Sequence, residues 1–445
     1  MTRILLLPLF ITAVFSFSGK ALWAVSSVPL SAEVSGVKLN AASDTGLTYI
    51  DDDLFVPVIV EMGLISKSVE LSIQAPFRFR IMDNAPEDTG VLRQQDWDDH
   101  SDWARILRTL RINKKLSDGN IVFHAGELNG VHQGFDEVVS EYFNSADMDH
   151  YHGGVDASMS FRGNGLAVLL DDVVSPSIFA GRIFLAPVAW FTSHRMARRF
   201  QVGAHLFADK GVKSRTLRIQ DTSLVAAGIN LSFVAVETAL ASLTPYISFG
   251  AMDGDAGFHG GIVTDTAFSR KRNQGLRFQS EFRYAGEDYY PGVLNPFYNY
   301  NRRFFTRDPV TGELNTFKDH LANTNMNVKP AAGIMVDVEM HINHILQLGI
   351  RYDYQSKNRP HWLLFRFEFT PTENLSFSGF YGGQDIQGGL DIFSLDALLG
   401  LAYHQRVTGP LRLYSEFCRR FRRTADNSAF FANESTLGVG LVLVR

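Results

Sequence analysis

The chain ends on Ser435-Thr-Leu-Gly-Val-Gly-Leu-Val-Leu-Val-Arg445, and this stretch decides the fold. Leu437, Val439, Leu441 and Leu443 fall on one side of it, Gly438, Gly440 and Val442 on the other. A period of 2 belongs to a β-strand, whose successive side chains point to opposite faces. The last strand of Gram-negative outer-membrane barrels carries an assembly signal: a polar residue, a glycine two places on, then two hydrophobic residues two apart. Thr436, Gly438, Leu441 and Leu443 fill those places. Such chains usually end on an aromatic residue, where this one ends on Arg445.

The other end agrees. Arg3 precedes the apolar run 4–17, and Gly19-Lys-Ala-Leu-Trp-Ala24 follows. A basic start, a short apolar core and small residues spell a secretory signal peptide, expected over 1–24. The run is roughly 14 residues, against about 20 for a membrane-spanning helix. No cysteine follows the cleavage region, which excludes a lipoprotein signal.

Composition narrows the class. A net charge of -5 gives no argument for nucleic acid. The single cysteine, Cys418, excludes an internal disulfide and with it a cross-linked secreted scaffold. Mean hydropathy is near zero, as in soluble proteins and equally in barrels, whose polar lumen offsets an apolar outside. The longest apolar stretch past the signal, 222–252, alternates and reads as two strands joined near Glu237. An exported chain without helical spans is soluble or is a barrel.

Several segments alternate as a membrane barrel requires. In 346–354, Leu346, Leu348, Ile350, Tyr352 and Tyr354 point out, and Gln347, Gly349, Arg351 and Asp353 point in. In 363–369, Leu363, Phe365, Phe367 and Phe369 point out, with Arg366 and Glu368 inside. In 276–284, Leu276, Phe278, Phe282 and Tyr284 face Arg277, Gln279, Glu281 and Arg283 across the sheet. In 411–418, Leu411, Leu413 and Phe417 oppose Arg412, Tyr414, Glu416 and Cys418. The expectation is one all-β domain: a single transmembrane antiparallel up-and-down barrel of roughly 14–18 strands, even in number. It is placed at 54–445, after a periplasmic arm or small plug at 25–53.

Short turns are expected at 371–374, 171–177 and 357–360, and long loops at 83–103, 253–274 and 286–332. A structureless loop as long as the last is functional or disordered. It is placed outside the cell, because periplasmic turns are short.

The stretch 96–187 resembles an uncharacterised family of predicted outer-membrane barrels, porin-like in kind. The resemblance rests on Asp96-Trp97, Ser101-Asp102, Gly126-Glu127-Leu128, Gly134, Tyr142, Asn144, Asp147, Asp149-His150 and Gly153. It closes with Leu169-Leu170-Asp171-Asp172 and Ser175-Pro176-Ser177. The family has a Gly-His-Gly step where this chain has His132-Gln133-Gly134. The resemblance implies a barrel in the outer membrane and brings no substrate or catalytic residue.

Three chemistries remain. Asp147, Asp149, His150 and His152 are dense enough in carboxylate and imidazole for a divalent metal; the bland alternative is a polar loop end. A barrel hydrolase needs a serine and a histidine facing lipid, and Ser158 or Ser160 with His150 or His152 are the candidates. No phosphate loop, CxxC pair or GxSxG elbow occurs, and no cofactor is expected. The inward charges Arg277, Glu281, Arg283, Arg351, Asp353, Arg366, Glu368, Arg412 and Glu416 either line a selective lumen or pair across strands to fill a closed one. The sequence therefore predicts a non-enzymatic outer-membrane channel for passive or selective passage of small polar solutes. Its alternatives are a closed structural or surface-interaction barrel and a lipid hydrolase. Expected partners are outer-membrane lipid and the barrel assembly machinery.

Overall fold

The computed structural model describes residues 32–34, 37–50, 52–84, 90–192, 195–212, 223–269, 274–286, 289–303, 306–307, 314–315, 330–356, 361–384, 397–423 and 429–443. The expected signal peptide and the turn at 357–360 lie outside them. Twenty strands form one closed antiparallel barrel, each pairing with the next in sequence. They are β1 (Val37–Ile50), β2 (Asp53–Ile65), β3 (Val69–Met82), β4 (Leu107–Leu116), β5 (Gly119–Gly126), β6 (Gly154–Phe161) and β7 (Asn164–Leu170). β8 (Ile178–Leu185), β9 (Phe200–Asp209), β10 (Leu224–Phe233), β11 (Ala241–Met252), β12 (Asp255–Ser269) and β13 (Gln274–Ala285) follow. The circuit ends with β14 (Ala331–Ile342), β15 (Leu346–Gln355), β16 (Trp362–Thr372), β17 (Leu375–Gln384), β18 (Ala397–Thr408), β19 (Leu411–Arg423) and β20 (Ala429–Leu443). β20 closes on β1 from Ala41↔Leu443 to Ile50↔Glu434. Thr436, Gly438 and Leu441 thus sit on the closing strand, where Thr436 Oγ1 meets Thr48 Oγ1 at 2.9 Å. Leu443 is the last paired residue there, and its side chain lies outside the described ones.

The alternation holds in phase. Phe282, Tyr284, Ile350, Tyr352, Tyr354, Phe365, Phe369 and Leu413 are exposed on the outer face, while Glu281, Arg283, Arg351, Asp353, Leu364 and Arg412 are buried inside. Tyr352 and Tyr354 stack 6.4 Å apart on the outside of β15, as residues of an aromatic girdle do.

The strand number exceeds the expected 14–18, and two segments explain the excess. β12 occupies most of 253–274, which reads as a loop because Gly257, Gly260 and Gly261 look like turn material. Two of these glycines instead make room for large side chains. A Cβ at Gly257 would come within 2.1 Å of the Tyr289 ring, and one at Gly261 within 2.8 Å of the Tyr246 ring. β1 lies inside 25–53, so the barrel wall begins at Val37 and not at 54; its Asp-Thr-Gly-Leu-Thr run is too polar to read as a strand.

Long connections follow β3, β5, β9, β13 and β17, all at one end of the barrel. The opposite end carries turns such as 66–68, 343–345 and 373–374, with one longer link, 186–199. The turn at 373–374 agrees with expectation; 171–177 belongs to the long-connection end. There 90–106 runs beside the upper part of β3, with Arg80 N–H donating to Val91 O at 2.7 Å and Trp97 stacked on Phe77 at 5.8 Å.

The lumen is not empty. At Gly126, with φ of 115°, the chain leaves the wall and turns inward. Residues 127–153 then fill the interior, most of them buried. A second inner segment, 289–303, packs on the first through Val139↔Leu294 and carries a short helix, α1 (Tyr298–Asn301). Leu128, Val139, Tyr142, Leu294 and Tyr298 join Leu169, Phe207 and Met252 of the wall in one apolar core. Phe143 and Phe297 join Trp362, Leu398 and Phe421 in another. The described part of the long loop 286–332 is therefore largely folded into the barrel, not displayed outside it.

Much of the stretch 96–187 that carries the family resemblance consists of fasteners for this filling. Asn144 accepts from Leu128 N–H at 2.7 Å and donates to His152 O at 2.7 Å and Asp171 O at 3.1 Å. Asp171 accepts from Ile178 N–H at 2.9 Å, Asp102 from Tyr151 N–H at 2.8 Å, and Ser101 donates to Asp172. Buried backbone groups must find partners, and these short polar side chains supply them.

Candidate functional site

The inward charges predicted on β13, β15 and β16 meet carboxylates of the inner segment and of neighbouring strands. Arg351 lies 2.8 Å from Asp136 and 3.4 Å from Asp337. Arg283 binds Glu281 and Asp353. Arg366 binds Glu141 at 2.5 Å and also Glu339. His132 bridges Asp136 at 2.8 Å and Glu141 at 3.1 Å. His259 lies 3.1 Å from Glu281 and 2.7 Å from the Tyr289 hydroxyl. Charges this deep are tolerable only when paired and hydrogen-bonded.

The predicted set splits accordingly. Glu281, Arg283, Arg351 and Asp353 are buried within the network, and Arg412 is buried against Asp44 at the β1–β20 seam, 3.0 Å away. Glu416 is half-buried, with His404 at 3.6 Å. Arg277 is exposed near the short-turn end. Arg366 and Glu368 line a cavity of about 310 Å³ between the inner segment and the wall. Asn129, Gly130, His132 and Phe143 form its inner side; Glu339, His341, Gln347, Leu364 and Phe380 form the barrel side. Here side chains keep contact with solvent: His132 is 31 % exposed and Glu339 38 %, against 1 % for Arg351.

The inner segment's own titration follows from these partners. Burial disfavours the charged form of His132, but Glu141 and Asp136 outweigh it and lift its pKa to about 10. Burial likewise opposes ionisation of Glu141, yet Arg366 and His132 hold its pKa at about 2. Asp136 is lowered too, against its burial, by Arg351 and His132. Glu137 goes the other way: burial raises it, and Arg182 offsets only part of that.

The predicted metal quartet does not converge on one point. Asp147 is held by Arg423, and Asp149 by Arg93 at 2.5 Å and Arg422 at 2.7 Å. His152 lies 3.4 Å from Asp172. His150 faces two other carboxylates, Asp98 and Asp102. Arginines of β19 lie far from 147–152 in sequence, so sequence spacing could not reveal them. The serines proposed for a hydrolase also lie elsewhere. Ser158 and Ser160 alternate with the exposed Met159 and Phe161 and so face the lumen, and Ser160 is bonded to Asn120.

Sequence reasoning missed Asp337 and Glu339, and saw Asp136 and Glu141 only as neighbours of the predicted metal cluster. A usable signal existed in charge complementarity: the inner faces of β13–β16 carry arginines, and 127–153 carries acids.

No family model matches the chain. No curated protein matches it either. Among solved structures it is similar to an engineered Rh. blastica porin, at 9% identity over 92% of this chain and 100% of that one, with a TM-score of 0.27. It is similar to the outer membrane channel DcaP of Acinetobacter baumannii, at 10% identity over 93% and 100%, with a TM-score of 0.27. It is similar to OccD1 (OprD), at 9% identity over 93% and 97%, with a TM-score of 0.31. Identities this low transfer no residue roles.

Proposed function

We propose that this chain is an outer-membrane channel of narrow bore for small polar solutes, its passage shaped by residues 127–153. The observation that carries the reading is the cavity beside Arg366 and Glu368, where the inner segment leaves the charged groups of Arg366, Glu339 and His132 partly exposed to solvent on an otherwise largely apolar wall. Charges of both signs on such a wall act on small solutes through a local field. The apolar outer face and the gathering of long connections at one end support insertion in the outer membrane, short turns toward the periplasm. A second reading, a closed barrel, draws on the dry packing of Arg283, Arg351 and Asp353. Planar-bilayer recording of the purified chain separates the two. The channel reading expects discrete conductance steps; a protein that inserts and never conducts is a closed barrel.

A further inference from the structure

We infer that His150, Asp98 and Asp102 form a binding site for a borderline divalent metal of the zinc type at the long-connection end of the barrel. Their ligand atoms all lie within 4.8 Å of one another. His150 Nδ1 is 3.8 Å from Asp98 Oδ1 and 3.9 Å from Asp102 Oδ2. Those gaps are too long for hydrogen bonds. They approach the separation of about 3.4 Å that ligands keep around a tetrahedral ion bound at about 2.1 Å.

A second observation concerns Asp102, which is fully buried. Three neighbouring buried carboxylates have arginine: Asp96 has Arg78, Arg93 and Arg105, Asp147 has Arg423, and Asp149 has Arg93 and Arg422, while Asp172 has His152. Among the described residues no arginine or lysine reaches Asp102. It accepts Tyr151 N–H at 2.8 Å and Asp99 N–H at 2.9 Å, and the remaining edge of its carboxylate faces His150. The His150 Nδ1 atom is itself buried and has no hydrogen-bond partner. His150 Nδ1 is thus a buried ring nitrogen without a hydrogen-bond partner beside a buried carboxylate, and leaving such an atom unpaired is costly. A divalent ion between them gives the nitrogen a partner.

The donor set selects the metal class. One imidazole and two carboxylates suit zinc over magnesium, which prefers oxygen and keeps its waters. Asp98 is 55 % exposed, so it can swing inward, and water completes the fourth position. The other His–carboxylate group, His132 with Glu141 and Glu339, carries no such inference, because Arg366 already binds both carboxylates.

The site is independent of whether the barrel conducts. Its test is equilibrium dialysis of the full chain, untagged and in detergent micelles, against zinc chloride, with magnesium chloride in parallel. The expected result is one zinc per chain, at least tenfold weaker binding in His150→Ala and in Asp98→Asn, and no change in His344→Ala, a histidine of the opposite end. Circular dichroism confirms that each variant is folded. If His150→Ala does not fold, the exposed Asp98→Asn decides. No saturable zinc uptake, or equal uptake by the folded variants, overturns the site.

Discussion

Arg351 on β15 holds Asp136 of the inner segment at 2.8 Å, across 215 residues of sequence. Both side chains are almost completely buried. Breaking a buried pair costs about 3–5 kcal/mol, because the surviving charge has no solvent to fall back on. Arg351→Met is expected to lower stability by that order, read as a fall in the urea midpoint of the barrel in micelles. The double variant Arg351→Met/Asp136→Leu should recover part of the loss. An unchanged midpoint in the single variant would remove the pair from the stability account.

The same network sets a pH window. His132 is raised from 6.5 to about 10 in the fold, so its contribution is complete below about pH 6.5 and is lost as pH rises toward 10. Glu141 is lowered from 4.5 to about 2, so its contribution is complete above about pH 4.5 and is lost as pH falls toward 2. Resistance of 127–153 to limited proteolysis should peak between those limits. His132→Gln should flatten the alkaline limb and leave much of the acid limb in place. A profile with the wild-type alkaline slope would contradict the assignment.

Phe365 and Arg366 are adjacent and opposed, one 37 % exposed on the outside, the other paired inside. An arginine facing lipid near mid-membrane costs about 2–4 kcal/mol. Phe365→Arg should therefore reduce assembled barrel sharply, measured as the folded fraction after membrane insertion, whereas Phe365→Leu should not. Equal yields would show that β16 faces the other way.

Arg366 and Arg351 also differ in reach. In a salt gradient, Arg366→Glu should move the reversal potential of a conducting barrel toward cations, most at low salt where screening is weakest. Arg351 does not line the cavity, so Arg351→Gln should leave ion selectivity nearly unchanged. The opposite ranking would place the passage on the other side of 127–153.

Gly126 turns the chain inward at φ 115°, and a Cβ there would sit 2.4 Å from Arg108 O. Gly126→Ala combines a left-handed backbone with a backbone clash, and strain of this kind costs about 1–3 kcal/mol. Its thermal midpoint should drop, while Gly254→Ala, equally left-handed but in open space, should drop less.

What the sequence made legible was the wall. Aromatic and aliphatic residues alternate with arginine and glutamate on β13, β15, β16 and β19, and that pattern fixes the phase of every side chain. β12 and β1 escaped because their glycines and small polar residues serve close packing against Tyr246, Tyr289 and the seam, which mimics turn composition. The filling escaped for another reason. Asp136, Glu141, Asp147 and Asp149 look like a solvated loop when the strand arginines that hold them are 200 or more residues away. Of the predicted metal ligands, His150 faces two carboxylates, Asp98 and Asp102, and His152 one, Asp172.

The inner segment is spliced into the wall between β5 and β6, yet most of its arginine partners lie on β15, β16 and β19. During synthesis, its acids precede those arginines by more than two hundred residues. An N-terminal half of the barrel therefore lacks the arginines that hold Asp136, Glu141 and Asp147. Closing β20 on β1 and seating residues 127–153 become a single late event, dominated by long-range contacts of the slow-forming kind. Chains that lack the last quarter, and with it Arg351, Arg366 and Arg423, should therefore remain unassembled.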